Sequence, residues 1–187
     1  MVAIAGRSSV PVHDARSGQH VVNRAPVLRE KGRHEVDDVE KAEHGAGHFA
    51  AINRDGSWRT PLGDVPVDTK LADALMAKSK LLADDTRAHA KEHSLEVQLP
   101  FLQELLGNDF SFVPICLGAP RYDLCEQVGN AVAEAIAEAG EPVGILASSD
   151  LNHYQDQKET LRKDQLAIDR VLALDPPELW RVVEEED

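Results

Sequence analysis

Apolar residues recur at helical spacing in TKLADALMAKSKLL, where Leu71, Ala74, Leu75 and Leu82 share one face and Asp68 stands ahead of the run as an N-cap. This spacing predicts a first amphipathic helix. LEVQLPFLQELL predicts a second, capped by Ser94, with Glu96 in its first turn and a kink at Pro100. HFAAIN and SWRT read as two short strands around an Asp55-Gly56 turn, a hairpin that Thr60-Pro61-Leu62-Gly63 ends. DFSFVPICLG and VGILAS are β-rich runs on either side of the helical segment YDLCEQVGNAVAEAIAEAG, so a βαβ unit with two buried parallel strands is expected. KETLRKDQLAIDRVLAL predicts a further helix that Pro176-Pro177 break, and ELWRVVEEED starts another, leaving Trp180, Val182 and Val183 without a following element to pack against.

Residues 1 to 43 keep no period of 2 or 3.6 and are expected to be irregular, ahead of an α/β domain from residue 44 to 187. The 187 residues fall within the range of one domain. Aromatic residues make up only 4%, so the core must come from Ala, Val, Leu and Ile, the mixture that helices packed on a mostly parallel or mixed sheet use. The net charge of −13 opposes a phosphate backbone and argues against nucleic acid. No apolar run is long enough to span a bilayer, and MVAIAGRSSVPVHDARSG lacks the order of a signal peptide, so a cytoplasmic protein without a membrane partner is expected. Cys116 and Cys125 are too few for a disulfide framework and read as buried reduced thiols.

Two clusters mix imidazole with carboxylate: His89-Ala-Lys-Glu92-His93-Ser94-Leu-Glu96, and Ser148-Ser149-Asp150-Leu151-Asn152-His153-Tyr154. Imidazole titrates near neutrality, and a neighbouring carboxylate fixes its tautomer, which suits proton transfer or support of a metal ligand. The second cluster directly follows a strand, where ligands of such sheets collect. A plain structural account stands beside this one: Asp150 also suits a helix N-cap with His153 on the surface, and Glu92-His93-Ser94 a polar helix entry. HAKEH also has the H-x-x-E-H spacing of a zinc peptidase, a reading that needs His89 and His93 on one helix.

Taken in order, WRTPLGDVPVD from Trp58, EHSLEVQLPFL from Glu92, FVPICLG from Phe112 and SSDLNHY from Ser148 resemble the Memo family, also known as AmmeMemoRadiSam system protein B. The resemblance covers roughly residues 44 to 183 and implies a fold similar to class III extradiol dioxygenases. It further implies non-haem Fe(II) or Cu, with His153 as acid/base histidine, His93 contacting substrate and Asp150 beside them. His44 stands where one metal-ligating histidine of the family is expected, although KAEH replaces the family's G-P-x-H. The family's early H-A-G-Y segment and late cysteine have no counterpart, so the chain is expected to be a partial domain with an incomplete ligand set. The activity implied is metal-dependent redox or dioxygenase-like chemistry on a small molecule; the competing function is a non-catalytic scaffold for a small-molecule or peptide ligand.

Overall fold

The computed structural model describes residues 2–6, 47–118 and 121–186; for Val2–Gly6 it describes the backbone and its pairing. The chain divides into two units, residues 1–148 and 149–187. Seven strands are present among the described residues: β1 (Val2–Gly6), β2 (Ala50–Ile52), β3 (Ser57–Thr60), β4 (Gly63–Pro66), β5 (Ala83–Asp84), β6 (Phe110–Leu117) and β7 (Val143–Leu146). The helices are α1 (Thr69–Lys78), α2 (Leu99–Leu106), α3 (Tyr122–Glu138), α4 (Gln157–Leu172) and α5 (Pro176–Glu186). The α/β class stands, and the sheet is mixed.

The first unit is built on a five-stranded sheet in the order β5-β2-β6-β1-β7. β5 runs parallel to β2, whereas β2–β6, β6–β1 and β1–β7 are antiparallel. β6 and β7 therefore point the same way, as the βαβ pattern predicts, but β1 lies between them. No strand is predicted at Val2–Gly6, because VAIAG is too short and too isolated in its apolar character to show a period. The rest of the expected irregular segment, with His44, lies outside the described residues.

β6 explains the two-sided core. Its alternation sends Val113 and Ile115 to one face, where Ile52, Leu71, Leu75, Leu124, Val128 and Val132 join them. Phe110 and Phe112 point to the other face, with Val65, Val67, Leu95 and Leu99. α1 follows its expected pattern, with Asp68 Oδ1 accepting from the Leu71 amide at 2.9 Å. Leu82 remains buried, but the helix stops at Lys78.

Four local expectations are corrected. SWRT pairs with Gly63–Pro66 rather than with AAI, so Thr60-Pro61-Leu62-Gly63 is the turn inside the hairpin; AAI is drawn into the large sheet because all three of its residues are buried there. Pro100 does not kink a helix capped by Ser94. A 3₁₀ turn spans Glu96–Gln98, and Pro100 sits in the first turn of α2, where its missing N–H leaves no bond unmade. β7 is an edge strand with Gly144 and Ile145 exposed, not a buried one. Cys125 is also exposed, since α3 buries the opposite face through Leu124, Val128, Ala131, Val132 and Ala135; Cys116 is half-buried.

In the second unit α4 and α5 pack as a helical pair. Asp156 caps α4 by accepting from the Glu159 amide at 2.9 Å. Pro176 and Pro177 open α5 rather than merely ending α4, with Asp175 accepting from the Glu178 amide at 3.2 Å. Val182 is buried, and Arg162 ties α4 to Glu186. No described helix is long and apolar enough to cross a membrane.

Candidate functional site

His93 occupies the approach to α2. Leu95 anchors the segment in the core, Glu92 Oε1 accepts from the Ser94 amide at 2.7 Å, and the Val97 amide donates to the His93 carbonyl at 3.3 Å. The imidazole itself stays in solvent, with Nδ1 2.8 Å from Oε1 of Glu96. That contact places the proton of the neutral ring on Nδ1 and leaves Nε2 open as the basic atom.

Asp150 and His153 are brought together in the loop that opens the second unit, with Nε2 of His153 3.1 Å from Oδ2 of Asp150. Asp156, not Asp150, caps α4, so the capping account of Asp150 does not apply. Asn152 pins the loop by donating from its amide to Asp164 Oδ1 at 3.0 Å and from Nδ2 to Thr160 Oγ1 at 2.9 Å. Tyr154 follows with φ 60°, a left-handed conformation uncommon for a side chain of its size, and its exposed ring meets the His153 imidazole edge-on at 5.5 Å. Here the neutral imidazole keeps its proton on Nε2 and presents Nδ1, the reverse of His93. His93 belongs to the first unit and Asp150 and His153 to the second, and each pair stands on its own geometry.

The zinc peptidase spacing fails on this backbone. A 3₁₀ turn over Thr86–His89 ends at His89, whose ring lies edge-on to Trp58 at 5.5 Å while His93 faces solvent. The two imidazoles do not share a helix, which that motif requires. His89 itself is unusual. Both ring nitrogens are buried with no hydrogen-bond partner among the described residues, and burial foremost holds its pKa below the ordinary histidine range.

Asp85 is the polar anchor that the sequence reading missed. Its carboxylate accepts from Arg87 Nε at 2.8 Å and Nη2 at 2.7 Å, from the Arg87 amide at 3.0 Å and from the His48 amide at 3.0 Å. The Arg87 guanidinium foremost holds this carboxyl far below the usual carboxylate range. The signal was available as Asp85-Thr86-Arg87, a capping residue followed by its own cation. Nearby, Trp58 Nε1 donates to Asn53 Oδ1 at 2.8 Å.

Among the described residues no group of three or more His, Cys, Asp or Glu side chains is placed to hold a metal ion. The described residues therefore do not by themselves fit the Fe(II) or Cu set that the resemblance implies. Chemically they offer two carboxylate-supported imidazoles, each with one basic nitrogen turned outward.

The Memo-like protein family model matches residues 39–187. The chain is 38% identical over 169 residues to the MEMO1 family protein MK0963 of Methanopyrus kandleri, covering 90% of this chain and 60% of that protein. It is 42% identical over 143 residues to a MEMO1 family protein of Sulfolobus acidocaldarius (76% and 50%), and 43% identical over 143 residues to one of Methanococcoides burtonii (76% and 53%). The chain thus spans about half to three-fifths of the length of these relatives. No solved structure matches. By the family model and by its relatives, the chain belongs to the Memo family.

Proposed function

We propose that the chain is a metal-dependent redox or dioxygenase-like Memo domain in which His153 moves a proton at a bound small molecule. The observation that carries this reading is the Asp150–His153 pair, an imidazole oriented by a carboxylate in the loop that follows a sheet strand. Asp150 holds Nε2 of the ring, leaving Nδ1 as the atom that accepts a proton, and Tyr154 walls one side of the ring. His93, oriented by Glu96, is the second carboxylate-supported imidazole of the proposal. The dioxygenase-like fold and the iron or copper belong to this proposal through the family resemblance, and the cytoplasmic setting through the sequence reading alone. His44 is the one metal ligand that the resemblance assigns from this chain.

The test is oxygen uptake by the purified chain with Fe(II) and simple catechols, comparing wild type, His153→Gln and Asp150→Ala. Uptake in the wild type that falls at least about a hundredfold in His153→Gln supports the reading. A non-catalytic scaffold is the second reading, favoured by the openness of both pairs to solvent. Ligand-induced NMR shifts at His93 and His153 with no oxygen uptake in any variant would select it.

A further inference from the structure

Helix α2 and the 3₁₀ turn Glu96–Gln98 that leads into it are apolar on both sides. Leu95 and Leu99 are buried and Leu102 packs inward. Yet Val97, Phe101 and Leu105 follow one another at intervals of four and are 50%, 70% and 79% exposed. At that spacing they form one stripe, and the hydrogen bond from the Val97 amide to the His93 carbonyl continues the same face back to His93. One exposed apolar side chain is ordinary, but a line of three large ones along a helix and the turn leading into it marks a surface that something covers.

The charges around the stripe identify what covers it. Along the chain Glu92 and Glu96 precede the stripe, Glu104 falls within it and Asp109 follows it, and Lys91 is the only Lys or Arg between residues 91 and 109. A second copy of this chain would set those carboxylates against their own counterparts, on a molecule of net charge −13. A basic partner meets attraction at the same rim.

We propose that the Val97–Phe101–Leu105 face docks an amphipathic helix of a partner protein, with aliphatic residues at four-residue intervals and Lys or Arg on its flanks. The docked helix ends beside His93, so its binding bears on the site without depending on the proton-transfer reading.

The experiment uses the full chain and two labelled peptides of about 16 residues, long enough to be helical when bound. Both carry leucine at four-residue intervals; one is flanked by lysine and the other by glutamate. Fluorescence anisotropy should show saturable binding of the lysine peptide alone, weakening as salt rises. The Phe101→Ser/Leu105→Ser variant should bind at least about tenfold more weakly, as truncation of central apolar anchors does. Leu172→Ser/Leu174→Ser, which removes exposed apolar side chains elsewhere, should bind as wild type does. Methyl NMR on the unaltered chain gives an answer that no folding defect can disturb, with shifts expected at Val97 and Leu105. Equal binding of both peptides, shifts confined to other regions, or full affinity in the Phe101/Leu105 variant would overturn the proposal. Sedimentation showing a wild-type dimer that this variant dissociates would also overturn it, assigning the face to a second copy.

Discussion

Nδ1 of His93 lies 2.8 Å from Oε1 of Glu96, so a carboxylate three residues ahead selects which nitrogen of an exposed imidazole carries the proton. In ¹⁵N spectra of the neutral ring, His93 should be mainly the Nδ1–H tautomer, and Glu96→Ala should lower that share. Stability should change by no more than about 0.5 kcal/mol, because both groups remain in solvent. A tautomer balance indifferent to Glu96→Ala would remove the orienting role.

Asp85 should matter more for stability than either candidate site pair. Its carboxylate caps the 3₁₀ turn and satisfies the His48 amide, so Asp85→Ala should cost about 1–2 kcal/mol in urea unfolding. The folded pKa is depressed, chiefly by Arg87. The stabilisation is therefore present above the unfolded carboxyl's pKa of about 4 and is lost as pH falls from there toward the folded value. Wild type and Asp85→Ala should converge in stability on acidification; a constant gap down to about pH 2 would contradict the assignment.

Gly47 has φ +87°, and a Cβ there would lie 2.7 Å from the backbone nitrogen of Ala88. Backbone cannot yield as a flexible side-chain tip can. Gly47→Ala should combine left-handed strain with that clash and destabilise the chain by about 2 kcal/mol or more. A denaturation midpoint equal to wild type would show that the Gly47–Ala88 approach is not maintained in solution.

Periodicity exposed those parts of the fold whose burial is one-sided. α1 with its Asp68 cap, α3 and β6 were legible because their apolar positions repeat and their ends carry capping or turn residues. The partner of SWRT was not, since pairing is decided across the sheet and AAI is too short to declare its neighbour. The burial of β7 was misread because an edge strand and a central one share the same β-branched composition. At the candidate site, Asp150 and His153 could be matched from SSDLNHY because they stand three positions apart in one loop. At Asp85 the local pairing with Arg87 was legible as Asp85-Thr86-Arg87, whereas the bond to the His48 amide, distant in sequence, is made only by folding.

His89 gives the last prediction. A buried imidazole whose two nitrogens find no partner among the described residues forgoes the hydrogen bonds that water would otherwise supply, so an apolar residue of similar size should be tolerated or preferred. His89→Leu should leave stability at pH 8 unchanged or raise it by about 1 kcal/mol. The pH dependence separates this from a simple change in packing. Burial holds the folded pKa below that of the unfolded ring, so between the two values the unfolded chain binds more protons, and stability falls as pH drops below about 6.5. In His89→Leu that part of the decline should disappear, making the variant increasingly more stable than wild type on acidification through this window. Urea midpoints measured from pH 8 to pH 5 decide the matter. Parallel curves would mean that the ring titrates alike in both states, and a loss of stability at pH 8 would mean that its nitrogens have a partner in solution.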